Sequence, residues 1–407
     1  MLTPAGHLTY CTNIHTGESW PDHFEALKKY FPGIKKKFSP DKPMGIGLRL
    51  SNEASLDLIH DDQLTIFKDW LGANDAYVFT MNGFPYGGFH HVRVKDQVHS
   101  PDWTTEARVD YSLRLFRILD QLLPEGMDGG VSTSPMSYRH WFRSPEQLKD
   151  ARQRATGNIL RVAAELARMH KISGKSLHLD IEPEPDGLME TGAEFIEWYE
   201  NELIPAGHAQ LPEKISVSGH EVTKLLKAHI QLCYDVCHFA IGFEPHAQVI
   251  RQIKEKGIRV GKIQISAALS ASLPGEAAER KAIKDAFAVY NEPVYLHQVV
   301  ARKENGSLLR YPDLTEALED EDRIEVKEWR AHFHVPVFAE DFGILQSTQQ
   351  HIREVLYLQK ADPFTQHLEI ETYTWEVLPA SLKLPLDESI IRELRWVNSM
   401  LQKNNAK

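Results

Sequence analysis

The fold is decided by one stretch of the sequence, Ser176–Pro185, which reads SLHLDIEPEP. Its apolar and polar residues alternate with a period of two, which is typical of a β-strand, and its prolines end the run. The polar face carries His178, Asp180 and Glu182. A strand of a parallel sheet usually buries both faces, so ionisable groups there are costly unless they are paired or bind a metal. The stretch therefore predicts a buried strand whose carboxyl end, with Glu182, carries the active site. His178 and Asp180 are expected to lie deeper along the strand and to support Glu182 by hydrogen bonding.

A second strand of this kind lies near the end of the chain, at His367–Tyr373 (HLEIETY). Glu369 and Glu371 alternate there with apolar residues. Two acidic strands so far apart in sequence predict one shared polar site, since each alone would bury uncompensated charge.

Eight short apolar segments alternate with longer helical patterns along the whole chain. This order is typical of βα units around a parallel sheet, and eight of them predict a (β/α)8 barrel. Typical barrels have about 250 residues and enlarged ones exceed ~400, so we expect one α/β domain over residues 1–407. The predicted strands are His7–Cys11, Gly45–Leu50, Ala76–Met81, Gly130–Ser134, Ser176–Glu182, Gln231–Cys237, Val260–Ser266 and His367–Tyr373.

The longer of two predicted insertions lies between strands seven and eight, at residues 270–340. There Pro293–Ala301 and Leu308–Tyr311 flank an Asn-Gly hairpin signal, and Trp329–Phe338 indicates a third strand. The insertion follows the carboxyl end of a strand, which is where barrel enzymes build their sites. We therefore expect it to cover that end of the barrel.

The shorter insertion is the loop after the third strand, residues 82–103, which is rich in glycine, histidine and aromatic residues. We expect this loop to shape a substrate site, with Asn82 and Trp103 as its substrate-binding residues. His90, His91 and His99 are expected at the surface of the loop.

Composition and charge exclude several classes of partner. The chain of 407 residues is 42% hydrophobic, enough for a large core, and its formal net charge of −11 disfavours nucleic acid and anionic membranes as partners. No apolar run has transmembrane length, and the start lacks a signal peptide, so we expect a cytoplasmic protein without membrane insertion. The three cysteines show no CxxC spacing, which favours reduced thiols.

Polar residues end each of the last four predicted strands, and neighbouring strand ends converge on the barrel axis. Carboxylate, imidazole and amide groups together suit one divalent cation such as Mn²⁺, Zn²⁺, Co²⁺ or Mg²⁺. We predict metal ligands among Glu182, Asp235, Gln264, His334 and Glu371, and substrate contacts from His238 and His332.

Structural roles are the alternative for each of these residues. The two glutamates would then pair with arginines of the barrel, Asp235 and His238 would form a buried pair, and Gln264 would be a hydrogen-bonding residue of the interior. His332 and His334, on one face of the third predicted insertion strand, would be half-exposed strand residues.

A metal held between two glutamates predicts a particular chemistry. The ion would polarise a carbonyl and a hydroxyl of the substrate, while Glu182 and Glu371 remove and return a proton alpha to that carbonyl. This proton transfer predicts the isomerisation or epimerisation of a small polyol or sugar-bearing metabolite.

The strand order and three elements resemble the xylose isomerase-like TIM-barrel superfamily: Glu182 ending strand five, Asp235-Val236-Cys237-His238 at strand six, and Glu371 in strand eight. That resemblance implies that Glu182, Asp235 and Glu371 are metal ligands and that His238 contacts substrate or metal. Sugar epimerases of the superfamily place a histidine at the end of strand seven, where this chain has Gln264. Either Gln264 binds the metal through its amide oxygen, or His332 or His334 replaces the histidine.

A narrower resemblance extends over most of the chain. The opening HLTYCTNIHTGESW (7–20), the segment NGFPYG (82–87) and HFHVP (332–336) resemble the bacterial metabolite-traffic family EboE. That resemblance implies a role in the export or modification of a secondary metabolite.

Two other classes of protein remain as alternatives to the enzyme. A non-catalytic metabolite-binding or carrier protein would keep the barrel without turnover, and Gln264 in place of histidine motivates it. An endonuclease IV-like metallophosphodiesterase would share the fold, but the charge of −11 disfavours a DNA-binding face.

Overall fold

A computed structural model of the chain describes residues 1–89, 94–320, 323–375 and 383–402. It confirms the predicted (β/α)8 barrel, and each of the eight predicted strands is present with ends shifted by up to three residues. The barrel strands are Gly6–Tyr10, Met44–Arg49, Ala76–Asn82, Gly129–Thr133, Leu177–Ile181, Ile230–Asp235, Val260–Ile265 and His367–Ile370.

All neighbouring barrel strands are parallel and follow one another around the barrel in chain order. The eighth strand pairs with both the seventh and the first. The first and second strands meet through a parallel bridge from Cys11 to Gly47 and through Thr9, whose hydroxyl donates to the carbonyl of Gly45 at 2.8 Å. These contacts join the two ends of the sheet, the first and second strands, so the barrel is nearly closed.

Helices surround the barrel, and local signals set their ends. The longest, Pro145–Ser173, begins where the Ser144 side chain accepts the Gln147 N–H and ends at Gly174, whose left-handed conformation (φ 75°) suits glycine. The other helices outside the insertion are Trp20–Phe38, Asn52–Leu58, Asp61–Ala73, Glu106–Leu122, Gly192–Trp198, Ile204–Ile215, Gly219–His229, Val236–Ile241, His246–Glu255, Gln349–Ala361 and Leu386–Gln402.

The barrel interior contains buried polar and charged side chains. Lys262 and Glu369 form an ion pair at 2.5 Å with both side chains fully buried. Small residues make room for such groups, because a Cβ on Gly261 would lie 1.9 Å from Asp180 Oδ1. The interior thus has space for charged side chains that a packed apolar barrel would exclude.

In the structure the insertion extends from Leu269 to Ser347, and its described residues form a second, antiparallel sheet of six strands. Its strands, in spatial order, are Leu308–Tyr311, Val299–Lys303, Val326–Ala331, Leu269–Ser272, Leu345–Ser347 and Asp341–Phe342. The helices Ala277–Ala288 and Leu314–Glu319 belong to the same segment.

Two boundaries predicted within the insertion are wrong. The strand predicted at Pro293–Ala301 begins only at Val299, and the one predicted at Trp329–Phe338 ends at Ala331. Sheet pairing stops at the Ala331–Leu269 pair, and Pro336, which lacks an N–H, follows shortly after. His332 and His334 therefore lie beyond the strand, on a segment that turns towards the barrel. No helix in the described part of the chain is both long and apolar enough to cross a bilayer.

Candidate active site

A cavity lies at the carboxyl ends of the barrel strands, and both insertions contribute to its wall. Phe89 comes from the loop after strand three, Tyr295 from the long insertion, and Tyr373 from the end of strand eight. The polar part of the wall consists of Asn82, Lys95, Glu182, Glu184, His238, Gln298, His332, His334 and Glu371. Three of the residues predicted from sequence as ligands, Glu182, His334 and Glu371, thus face one cavity, whose wall includes residues of the long insertion.

Glu371 is held by amide groups from three different strand ends. Asn13 and Asn82 each donate from Nδ2 to Oε1 at 2.7 Å, and Gln264 Nε2 donates to Oε2. Burial alone would raise the pKa of Glu371, but hydrogen bonding and charge from His334, together with the bond from Gln264, lower the pKa on balance. The carboxyl group is therefore held ionised.

Asp235 owes its position to helix capping. It is the residue before helix Val236–Ile241, and its Oδ1 accepts the backbone N–H of His238 at 3.1 Å and the Ser266 hydroxyl at 2.7 Å. Its other oxygen, Oδ2, is buried and has no hydrogen-bond partner among the described residues. The D-x-x-H spacing is thus a cap that leaves one carboxylate oxygen free.

Three imidazoles form a row beside these carboxylates. His238 Nε2 lies 3.1 Å from His332 Nε2, which lies 3.3 Å from His334 Nε2. Burial, reinforced by the neighbouring imidazoles, lowers the pKa of His332 far below its ordinary value. For His334, the carboxylates of Asp235 and Glu371 outweigh burial and raise the pKa.

Glu182 lies at the end of strand five and contacts both the imidazole row and the barrel interior. His238 Nδ1 is 3.6 Å from Oε1, and the Cys233 sulfur is 3.6 Å from Oε2. Burial, followed by the charges of Asp235 and Glu371, raises the pKa of Glu182 well above its ordinary value. The two glutamates of the cavity therefore have pKa values moved in opposite directions.

Two residues that were not among the predicted site residues, Glu184 and His99, lie at or beside the cavity. Glu184 lines the cavity, and its Oε1 is 2.8 Å from His99 Nε2. His99 is fully buried, so the expectation of a surface position for it was wrong. The signal for Glu184 was present, because Pro183 and Pro185 keep the chain extended and so place Glu184 on the same side as Glu182. His90 and His91 lie outside the described residues.

Two predicted site residues have positions that suit support better than direct contact. Gln264 donates to Glu371 and accepts from the Cys233 thiol at 3.3 Å through Oε1, so its oxygen is already engaged. Trp103 is fully buried and its indole donates to Thr133 Oγ1 at 3.0 Å, away from the cavity wall. Asn13, which no sequence pattern had indicated, lies in the short 3-10 turn Thr12–Ile14 after strand one.

The donor set fits a divalent cation. Asp235, His238 and His334 offer one atom each within 4.8 Å of one another, and so do Glu184, His238 and His332. The free oxygen of Asp235 lies 3.9 Å from His334 Nε2, too far for a hydrogen bond between them. A buried carboxylate oxygen without a hydrogen-bond partner, beside several imidazoles, is a group that a Zn²⁺ or Mn²⁺ ion would satisfy.

The fold and this polar cavity define the chain as a (β/α)8 barrel with an inserted antiparallel sheet. No protein-family model and no curated protein matched the sequence, so the narrower resemblance to the EboE family gains no support.

Solved structures with a similar fold include the IOLI protein with a bound zinc atom, at 12% identity over 98% of this chain and 100% of that chain (TM-score 0.47). A xylose isomerase domain protein from Planctomyces limnophilus is 9% identical over 97% and 96% of the two chains (TM-score 0.44). The 3-keto-D-glucoside 4-epimerase YcjR from E. coli is 13% identical over 97% and 99% (TM-score 0.42).

Proposed function

We propose that this protein is a divalent-metal-dependent isomerase or epimerase that acts on a small polyol or sugar-bearing metabolite. One observation carries the proposal: Glu182, Glu371 and the His238–His332–His334 row face one cavity, with the free oxygen of Asp235 behind it. Glu182, Asp235, Glu371 and His334 would hold the ion. Gln264 would hold Glu371 in place, and His334 would replace the histidine that the sugar epimerases have on strand seven.

The wall of the cavity suits a molecule with both apolar and hydroxylated faces. The rings of Phe89, Tyr295 and Tyr373 lie within 5.1–5.3 Å of one another, centroid to centroid, and form an aromatic side. Carboxylates, imidazoles and the amide of Gln298 form the polar side. Sugars present C–H groups on one face and hydroxyl groups at their edges, so the two sides of the cavity match a carbohydrate-like ligand.

The two glutamates supply the proton transfer. A bound divalent ion would polarise a carbonyl and an adjacent hydroxyl of the substrate. Glu371, held ionised by His334 and by the amide of Gln264, takes the proton from the carbon alpha to the carbonyl. Glu182, whose pKa is raised, returns a proton to the neighbouring carbon or to the opposite face. A pair of carboxyl groups with pKa values moved apart is the arrangement that acid–base exchange requires.

The test combines metal analysis with solvent exchange. Purified protein is expected to hold a divalent ion at this cavity and to exchange deuterium from D₂O into the alpha carbon of a sugar from a panel of ketoses and aldoses, detected by NMR. Glu182→Gln should abolish the exchange while the protein stays folded. Glu244→Gln, which removes a half-buried carboxyl outside the cavity, is the matched control and should exchange normally. Full exchange by metal-free protein would overturn the proposal.

The second candidate is a binding or carrier protein, and the position of Gln264 favours it. The amide of Gln264 occupies one oxygen of Glu371, which an ion would otherwise share. Tight binding of a panel sugar in calorimetry, with no deuterium exchange in the same protein, would favour this candidate over the enzyme.

A further inference from the structure

A second cluster of histidines and acids lies at the opposite end of the barrel. It consists of Asp128, which precedes strand four, His178 near the start of strand five, and His367, the first residue of strand eight. Glu182 and Glu371 follow these histidines by four residues on the same strands, which at roughly 3.3 Å per residue is about 13 Å away. The cluster is therefore separate from the proposed active site.

The two histidines are buried and lack partners on the side that faces Asp128. Their side chains are 1% and 0% exposed, and neither His178 Nε2 nor either ring nitrogen of His367 has a hydrogen-bond partner among the described residues. A buried imidazole nitrogen without a partner is costly, and a native structure rarely leaves two of them together. A divalent cation between the two rings would bind both Nε2 atoms in their neutral, deprotonated form.

The distances in the cluster suit a metal ion better than hydrogen bonds. His178 Nε2 is 3.7 Å from Asp128 Oδ2, and His367 Nε2 is 3.4 Å from Asp128 Oδ1. Tetrahedral zinc with bonds of about 2.0–2.1 Å places its ligand atoms roughly 3.3 Å apart. All three residues also offer one ligand atom within 4.8 Å of the others.

Neighbouring residues already orient the cluster. His178 Nδ1 is hydrogen-bonded to Asp180 Oδ1 at 2.6 Å, the carboxylate–histidine arrangement that fixes the ring of a metal ligand. Gly130 gives the ring its space, since a Cβ there would lie 2.5 Å from His178 Cε1. Asp128 is 43% exposed, so an ion and a completing water have access from solvent.

We propose that Asp128, His178 and His367 form a zinc site at the amino-terminal end of the barrel. The ion would link strand eight to strands four and five across the barrel interior. The amino-terminal end of such barrels contributes to stability and the carboxyl end to catalysis, so the site is structural. Asp180, which was expected to support Glu182, supports His178 in this site.

The test locates zinc in crystals of the full chain grown with an equal amount of zinc chloride. An anomalous difference map at the zinc edge should show a peak among Asp128 Oδ, His178 Nε2 and His367 Nε2, and the peak should persist in Glu182→Gln. Asp128→Ala should lose it, and in calorimetry should lose at least tenfold in zinc affinity at this site. Asp69→Asn, an exposed aspartate elsewhere, should change neither measurement.

Two results would overturn the proposal. One is a map with no peak at this cluster, whether or not zinc appears at the cavity beside Glu182. The other is a peak of unchanged height in both Asp128→Ala and His367→Gln. Because Asp128 is partly exposed, its variant keeps the fold even where the buried histidine variant fails to fold.

Discussion

At the scale of single residues, Glu371 depends on amide groups for its orientation. Asn82 donates to it at 2.7 Å from the end of strand three. Removing a hydrogen-bond partner of a metal ligand typically lowers metal affinity by 10–100-fold, because the ligand is no longer held in position. We expect Asn82→Ala to lose roughly 10–100-fold in Mn²⁺ affinity in calorimetry.

Asn158→Ala is the control for this prediction. It removes an amide that is bound to the carbonyl of Trp103 and not to Glu371, so it should bind Mn²⁺ as the wild type does. Equal affinity in both variants would refute this role.

The buried ion pair Lys262–Glu369 gives a second prediction at this scale. The charge of Glu369 outweighs burial and raises the pKa of Lys262, so the lysine is held charged beside Glu369 within the barrel. Lys262→Met leaves an unpaired buried carboxyl and should cost about 3–5 kcal/mol of unfolding free energy, whereas Lys262→Met/Glu369→Leu should recover much of that loss. Chemical denaturation followed by circular dichroism measures both.

The surface pair Lys254–Asp362 is the control for this comparison. Its N···O distance is also 2.5 Å, but its side chains are 35% and 82% exposed. Lys254→Met should therefore cost less than about 1 kcal/mol. If Lys262→Met loses no more unfolding free energy than Lys254→Met, the interior pair is not desolvated.

Some residues around the cavity could be predicted from the sequence and others could not. Glu182, Asp235 and Glu371 could be predicted because strand alternation and a cap spacing mark them. Asn13 could not, since a short 3-10 turn has no periodic signal and its contact with Glu371 exists only after the barrel closes. The partnership of Asp128 with His367 is also invisible in sequence, because strands four and eight meet only across the barrel interior.

At the scale of elements, all eight barrel strands were predictable and the ends of the insertion strands were not. A buried parallel strand is a short apolar run with sharp limits, which composition alone reveals. In the insertion, apolar residues continue past Ala331 into His332–Phe338, so the pattern extends beyond the hydrogen-bonded strand. Where pairing stops depends on Leu269 of another strand, which local sequence does not show.

The last helix, Leu386–Gln402, is anchored by an acid whose pKa makes stability depend on pH. Glu393 Oε1 accepts the Thr372 hydroxyl at 2.7 Å and the Val337 N–H at 3.1 Å, and burial raises the pKa of Glu393 to about 8 from 4.5. Below about pH 4.5 the group is protonated in both the folded and unfolded states. Between about 4.5 and 8 only the unfolded state ionises, so the unfolding free energy falls as pH rises through that window.

Glu393→Gln removes this dependence and keeps the acceptor oxygen. At about 1.4 kcal/mol per pKa unit, the variant should gain a few kcal/mol over the wild type between pH 5 and about 8. Denaturation midpoints measured across that range test it, with exposed Glu388→Gln on the same helix as the control. A wild-type–variant difference that does not change with pH would contradict the prediction.

At the scale of the whole molecule, barrel and insertion share one hydrophobic core. Buried residues of the insertion, among them Val299 and Leu314, belong to the same continuous cluster as those of the barrel strands. Polar contacts join the two parts as well, since Gln298 donates to Pro185 O at 3.0 Å and Thr374 to His334 O at 2.7 Å. A core without an internal boundary favours cooperative unfolding of residues 1–407 as one domain.

This continuity predicts how a cavity in the insertion affects the barrel. Val299 is fully buried in the insertion sheet, and Val299→Ala should cost about 1–3 kcal/mol. If the chain unfolds as one unit, that loss lowers the single denaturation midpoint measured by far-ultraviolet circular dichroism, to which the barrel helices contribute most. Val289→Ala makes the same chemical change at a residue of the insertion that is 77% exposed, so its midpoint should match that of the wild type. Two separate transitions, with only the smaller one shifted by Val299→Ala, would instead show that the insertion folds as an independent domain on an unchanged barrel.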